Sequence, residues 1–486
     1  MFSLNEKLIE AKDKVTKLHS VPLEIADDMI GLLDSTDFFD KPALDVTAED
    51  YINSHRVIDV SCKSGSLLYS CYNRFMLALR DVFPDRGDRE LFILRYLLYG
   101  FCPDKRYLDL VCNTFYSNQK YDLSEELGNF YHYDFKEQSG VDSKEAKELL
   151  ENMKFDVVCG NPPYNDDMYL DFVLLGHRLA KSYDLWITPA KWQAKADEPN
   201  EKFRSIIRPL LDYVVMYKTS TDIFDITEPG GICYYLCSNN ITNSLKVMCK
   251  SKTSNYFNSD FEEHTENNLV LIPNRLMSIV NKFKGDSISN YLDFKQSKYI
   301  KNTSYGYEIR GSSTDLEVLQ GDSVCGYLPL SEVLSTDRLD YFKCYTNIMP
   351  GVGVIYLDSK GTSLGLNVVN KAFPNQVPKG SYPCLCYFKS EKEADGFISF
   401  CNTKSVKFLH LLGVCGTTIT KEFWRFIPNQ IDFNKVYEDK PLDGYTPDEN
   451  GIYTDKDGVV HCSLYVKYKL TDEEINVIES VIRERK

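Results

Sequence analysis

The sequence predicts an open, doubly wound α/β sheet followed by a mixed α+β region. Three observations carry this. Short apolar runs alternate with helix-length stretches from about residue 22 to 250; six such runs have strand length; and beyond about residue 250 the rhythm breaks. Alternation of this kind marks βαβ units and a parallel sheet covered by helices.

Taken in order, 56–60 (RVIDV) reads as a strand, 66–83 (SLLYSCYNRFMLALRDVF) as a helix, 96–101 (YLLYGF) as a strand and 107–116 (YLDLVCNTFY) as a helix. The strand 155–160 (FDVVCG), the helix 169–181 (YLDFVLLGHRLAK) and the strands 184–189 (DLWITP) and 231–238 (GICYYLCS) continue the pattern. After the polar run 250–258, alternating segments at 305–311 (YGYEIRG), 351–359 (GVGVIYLDS) and 395–401 (DGFISFC) read as strands. The acidic, turn-rich stretch 436–458 reads as a surface excursion. A last helix opens at Thr471, with Glu474 three residues on completing a capping pattern. No repeat of fixed period and no low-complexity tract is visible.

Composition bounds the function. The 486 residues suit two or three domains at about 150 residues each, and 43% hydrophobic content suits a folded globular protein. With 56 Lys+Arg against 71 Asp+Glu, the net charge of -15 excludes a protein that coats nucleic acid by overall charge, though not one with a local basic cleft. The 15 Cys form no CxxC pair and no paired Cys/His ligand spacing, which points to reduced thiols, with neither a zinc module nor a disulfide framework. The seven His form no HxxxH or HxH group, and no metal is expected. The N-terminus lacks the plan of a signal peptide and no run of 18 apolar residues occurs, so the expectation is a cytoplasmic protein with no membrane association.

The sharpest motif is Asn161-Pro162-Pro163-Tyr164, directly after the apolar run 155–159 and Gly160. In an open α/β sheet, ligands bind at the carboxyl ends of strands, where this turn falls. The residue types suit attack by a planar amino nitrogen, such as an adenine N6, a cytosine N4 or a side-chain amide. Its lone pair is delocalised until acceptors hold its two hydrogens. The Asn161 side-chain oxygen and the Pro162 carbonyl can be those acceptors, because a proline pair stiffens the turn. Tyr164 offers a flat face for stacking on an extruded base. An ordinary Pro-Pro turn ending a strand is the bland alternative.

A second constellation runs from Arg56 to Ser66, with Asp59 ending a strand and Ser61, Lys63 and Gly65 in the turn that follows. Backbone N–H groups of such a turn and the N-terminus of the next helix can meet a carboxylate, and Asp59 can face an ammonium.

These motifs, in this order, resemble the gamma group of S-adenosylmethionine-dependent DNA adenine-N6 methyltransferases of bacterial and phage type II restriction–modification systems. The resemblance spans roughly residues 18 to 245. Residues 19–29 (HSVPLEIADDM) resemble the helix-opening motif beside the methionine part of the cofactor, with Val21 and Pro22 at its start. Residues 99–104 (YGFCPD) resemble the second strand, 132–135 (HYDF) the third, and 161–164 the catalytic motif after the fourth. Residues 185–189 (LWITP) and 230–235 (GGICYY) resemble later motifs, the last lying near the target base. The resemblance implies a Rossmann-like methyltransferase sheet with a C-terminal target-recognition domain, and S-adenosyl-L-methionine as cofactor. It divides the chain into an N-terminal helical segment (1–48) completing the cofactor pocket, a methyltransferase domain (49–250) and a recognition domain (251–486).

Three positions depart from the family pattern. Lys63 stands where a glycine is usual, and its side chain is expected to point outward. Cys102 replaces the acid that holds the ribose hydroxyls, with Asp104 as the substitute. Val21 replaces a threonine. Asp134 is read as an acceptor near the cofactor's adenine amine, or equally as a loop Asp capping a helix.

For the second half, residues 274–311 hold seven Lys and Arg against three acids, a basic island interleaved with Tyr291, Tyr299, Tyr305 and Tyr307. Such a segment suits tracking a nucleic-acid backbone, with Lys295, Lys298 and Lys301 as phosphate contacts. Tyr234 is expected near the base, and 416–425 (GTTITKEFWR) is a second candidate contact. With about 50 residues ahead of the cofactor loop and no clear carboxylate pair with ExK spacing in the second half, methylation of double-stranded DNA without cleavage is expected, either beside a separate endonuclease or as a solitary or phage methyltransferase. The alternatives are methylation of a glutamine amide or an RNA base, and a catalytically silent DNA-binding specificity protein.

Overall fold

The computed structural model describes residues 20–43, 46–116, 129–240, 244–264, 271–296, 298–301, 304–349, 352–416, 418–430 and 432–484. His19 and Thr417, which fall in two of the motifs above, lie outside the described residues.

Nine strands form one sheet: β1 (Val57–Asp59), β2 (Leu98–Cys102), β3 (Phe130–His132), β4 (Phe155–Gly160), β5 (Ala180–Pro189), β6 (Leu211–Tyr217), β7 (Ile232–Ser238), β8 (Leu245–Lys250) and β9 (Glu262–His264). Their order is β3-β2-β1-β4-β5-β7-β6-β8-β9. The first five are parallel, and β7 runs antiparallel to both β5 and β6. This is a doubly wound sheet whose order reverses between β1 and β4.

Burial on both faces explains the apolar runs. Successive side chains point to opposite faces. Val57, Val157, Leu185, Ile187 and Tyr234 enter one core, while Ile58, Val158, Trp186 and Tyr235 enter the other. Helices Leu23–Ile30, Ser66–Ala78, Arg86–Tyr96 and Lys105–Tyr116 cover the first face; Met168–Leu179 and Glu198–Ile207 cover the second. The expected helix over 66–83 ends at Ala78, and a second begins at Arg86, where the Asp85 side chain accepts the Asp88 N–H. β6 lay outside the expected rhythm, because it joins β7 as an antiparallel neighbour through a loop and not through a crossover helix. The sheet also runs past residue 250, ending at the edge strand β9.

Beyond it lie β10 (Leu316–Gln320), β11 (Ser323–Leu328), β12 (Phe342–Thr346), β13 (Val369–Ala372), β14 (Gln376–Pro378), β15 (Cys384–Phe388), β16 (Val436–Glu438), β17 (Ile452–Thr454) and β18 (Val460–Ser463), in three three-stranded sheets. Three expectations are corrected. Residues 395–401 belong to the helix Glu391–Asn402, because Ala394, Phe397, Phe400 and Cys401 recur at helical spacing and are buried, and Ser390 caps the start. Val352–Ile355 is one helical turn, and 305–311 holds only a bridge from Tyr307 to Tyr327. The acidic excursion supplies β16 and β17. The last helix, Asp472–Val481, carries the expected capping box at Thr471 and Glu474.

The core of this C-terminal region also takes in Ala194 and Phe257. Arg425 Nη2 donates to the Ala194 carbonyl at 2.9 Å, and the Leu271 N–H donates to Gln193 Oε1 at 3.0 Å. Among the described residues no helix is long and apolar enough to cross a membrane.

Candidate active site

The carboxyl ends of β1 and β4 lie side by side at the reversal of strand order, with Asp59 paired in register with Cys159. There a doubly wound sheet opens its ligand crevice. Asp59 is 4% exposed, and its Oδ1 accepts the Ser61 N–H at 2.9 Å. Burial pushes the Asp59 carboxyl up to about 7, against the opposing pull of the Ser61 N–H and of Lys63. Lys63 departs from the expected outward placement: it is half-buried, and burial lowers its ammonium to about 8 while Asp59 pulls it back up.

Gly65 begins the helix Ser66–Ala78 in the left-handed region at φ 77°, and a Cβ there would stand 3.2 Å from Phe115 Cε2. A glycine meets both demands. The positive end of that helix therefore points back at the β1 loop.

Asn161 and Pro162 follow β4 and are buried, while Pro163 and Tyr164 are half-buried. The two loops touch: a Cβ on Gly160 would lie 2.7 Å from Ser61 Oγ and 3.6 Å from Asp59 Oδ1. The Ser61 hydroxyl is itself buried with no hydrogen-bond partner among the described residues. A buried polar atom of this kind is costly unless a ligand or water satisfies it. Tyr164 packs edge-on to Phe224 at 6.4 Å, with its hydroxyl 3.5 Å from the Ile187 carbonyl.

Sequence reading missed the lattice of charge next to this turn. Asp166 and Asp167 both adopt left-handed backbone, at φ 49° and 59°, which non-glycine residues rarely do. The Asp167 carboxylate is held by Lys191 at 2.9 Å and by Lys195 at 2.5 Å, and Lys191 also reaches Glu228 at 3.3 Å. The partners lie far apart in the chain, so no local pattern announces them.

The helix Leu23–Ile30 begins after Pro22, with Val21 buried, and packs on Ser66–Ala78. Arg74 ties it down through Asp27 at 2.6 Å and Asp34 at 2.8 Å, and the Ser70 hydroxyl donates to Asp27 at 2.7 Å.

Other expected site residues are placed differently. Cys102 is wholly buried beside Cys62, whose N–H donates to the Phe101 carbonyl at 2.8 Å. Asp104 pairs with Arg106 and accepts the Arg106 N–H at 2.9 Å, which holds its carboxyl below the ordinary range. Asp134 Oδ1 accepts the N–H groups of Lys136 and Glu137 in a turn, not at the start of a helix as the capping alternative expected. Tyr234 is corrected: it is 1% exposed in the sheet core, its ring 6.3 Å from that of Tyr217, and offers no face to a base.

The three lysines also separate. Lys295 and Lys301 are exposed. Lys298 has a side chain only 8% exposed, bound to Asp337 at 2.8 Å and Asp293 at 3.3 Å, above the Tyr387 ring at 4.3 Å. It is an internal strut, not a phosphate contact. Lys295 borders a cleft of about 660 Å³ that Tyr291, Arg338, Lys421 and Asn429 also line. Within the second candidate contact, Arg425 is spent on the Ala194 and Glu422 carbonyls. Among the described residues, no group of three or more His, Cys, Asp or Glu is placed to hold a metal ion.

No protein-family model matches the chain. An uncharacterized adenine-specific methylase of Mycoplasma pneumoniae is 29% identical over 168 residues, 31% of this chain and 39% of that protein. The chain thus spans well under half the length of this curated relative. Among solved structures, a DrdV–DNA complex aligns with a TM-score of 0.45 at 11% identity, over 77% of this chain and 50% of the other. The ATP-dependent Type ISP restriction–modification enzyme LlaBIII bound to DNA aligns at 0.43 and 8% identity, over 78% and 36%.

Proposed function

We propose that this chain is a site-specific DNA methyltransferase that places a methyl group on the N6 amine of an adenine flipped out of duplex DNA. The observation that supports the reading is the contact of the two loops: Gly160, next to Asn161 in the chain, lies against Ser61 and Asp59 at the carboxyl ends of β4 and β1. The adenine-specific methylase with which part of the chain is 29% identical supports it. The order of the motifs favours the gamma group of type II systems.

The residues present fit S-adenosyl-L-methionine. Asp59 would take its ammonium, the Ser61 hydroxyl and the backbone from Ser61 to Gly65 its carboxylate, with Lys63 adding positive charge beside them. Val21 and Pro22 would border its methionine part, and Asp104 and Asp134 its adenosine. Cys102, buried against Cys62, is left with no direct role at the ribose. When bound, the cofactor supplies an electrophilic methyl group on a sulfonium and leaves as a neutral thioether.

The chain's own work is to hold the amine. The Asn161 side-chain oxygen and the Pro162 carbonyl accept its two hydrogens, which localises the nitrogen lone pair. Pro162 and Pro163 keep these acceptors from drifting, since proline fixes φ. Tyr164 stacks on the base, and its edge contact with Phe224 holds the ring upright. Lys295 and Lys301 meet phosphates, and an endonuclease acts as a separate chain.

Incubating the chain with radiolabelled cofactor and duplex DNA, then hydrolysing the DNA to nucleosides, tests this. N6-methyladenine is expected. Label in N4-methylcytosine, or in protein glutamine with unlabelled DNA, would replace the reading.

A further inference from the structure

A single buried indole braces the Asn161 loop from both sides. Trp186 is wholly buried on β5 and pairs in register with Gly160, the last residue of β4. Its Cζ3 would stand 3.1 Å from a Cβ on Gly160, and its Cη2 2.6 Å from a Cβ on Gly176. Gly176 lies in the helix Met168–Leu179, which begins immediately after the loop. Glycine at both positions is what admits the ring between strand and helix.

The orientation of that ring is fixed by an acid. Trp186 Nε1 donates to Asp184 Oδ1 at 2.6 Å, and His177 Nδ1 lies 2.7 Å from Asp184 Oδ2. His177 belongs to the same helix as Gly176. A wholly buried carboxylate is costly unless both oxygens are satisfied, and here one oxygen serves the strand and the other the helix. Between the two anchor points runs the turn with left-handed Asp166 and Asp167, a conformation that persists only where its surroundings impose it.

We propose that His177, Asp184 and Trp186 are positioning residues that clamp both ends of the 161–167 loop and so hold the Asn161 and Pro162 acceptors in place. They act through Gly160 and the helix. The proposal rests on the reading of Asn161 given above. A displacement of about 1 Å at a reacting group can cost roughly 100-fold in rate.

Hydrogen exchange over residues 157–168 of the full chain, measured alongside steady-state methyl transfer, tests the clamp. The variants are Gly176→Ala, His177→Ala and Asp184→Asn. Gly176→Ala sets a Cβ inside van der Waals contact with the ring and pushes it towards Gly160. Gly176→Ala and His177→Ala are expected to speed exchange at 160–168, and to lower kcat by roughly 10- to 100-fold with KM for S-adenosylmethionine within about twofold. Asp184→Asn, which can bond both partners, stays close to wild type. Unchanged exchange at 160–168 in Gly176→Ala and His177→Ala would overturn the clamp, as would a loss expressed only in KM. If the wild-type chain transfers no methyl group, the reading of Asn161 fails instead, and the exchange data alone decide the clamp.

Discussion

Gly160 approaches Ser61 so closely that a Cβ on it would stand 2.7 Å from the serine hydroxyl oxygen. This contact welds the turn after β1 to the turn after β4. It makes one site of two motifs about a hundred residues apart.

Gly160→Ala therefore drives a methyl group against Ser61 on one side and Trp186, at 3.1 Å, on the other. Overpacking of this kind costs about 1–3 kcal/mol. Chemical denaturation is expected to show that loss, and methyl-transfer assays a rate at least tenfold lower. A variant as active as wild type would mean that the two loops do not act together.

On the proposed assignment, Asp59 makes cofactor binding depend on pH. Burial holds its carboxyl at about 7, above the ordinary 3.8. The unliganded fold thus keeps a proton that the unfolded chain has released, and this group's contribution to stability falls as pH rises across that window. A cationic ammonium opposite Asp59 favours the ionised form. Affinity for S-adenosylmethionine should rise with pH towards about 7 and fall again above about 8, where Lys63 loses its proton. Asp59→Asn should flatten that profile, weaken binding roughly 10- to 100-fold for the missing charge-assisted bond, and leave the unliganded protein no less stable. Titration calorimetry across pH measures both effects, and a flat wild-type profile would contradict the assignment.

The lysines divide into two kinds with opposite signatures. Lys295→Ala and Lys301→Ala should weaken DNA binding and reduce the salt slope by about 0.9 for each phosphate no longer neutralised, without changing stability. Lys298→Ala strips Asp293 and Asp337 of their cation and uncovers Tyr387. Because Asp337 is largely exposed, the expected cost is a modest 1–2 kcal/mol, about half or less of that for breaking a fully buried pair. Thermal melts and salt-dependent binding curves separate the cases; Lys298→Ala altering the salt slope at unchanged stability would refute the division.

The parts of this fold legible in the sequence were those that depend on local pattern. β1, β2, β4, β5 and β7 are apolar runs because both faces of the sheet are buried, and Thr471 with Glu474 closes its capping box within four residues. Asp59 and Asn161 stood out because one ends a strand and the other follows one closely. What was illegible depends on distant partners. The helix Glu391–Asn402 reads as a strand because residues 395–401 gather Phe397, Ile398, Phe400 and Cys401 in a short apolar run, although Phe397, Phe400 and Cys401 already keep helical spacing. Tyr234 and Lys298 looked available because their core neighbours, Tyr217 and Tyr387, come from other segments. Trp186 stood inside an expected strand, but nothing nearby shows that Gly160 and Gly176 make room for it.

The central claim is that Asn161 holds an adenine amine for methylation. Single-molecule sequencing of genomic DNA from a methylation-deficient host expressing the chain, with Asn161→Ala as control, tests it most directly. The account predicts N6-methyladenine at one recurring sequence in the wild type and none with Asn161→Ala, although the variant still binds S-adenosylmethionine. Equal methylation by wild type and variant, or an unmodified genome beside abundant folded protein, would contradict it.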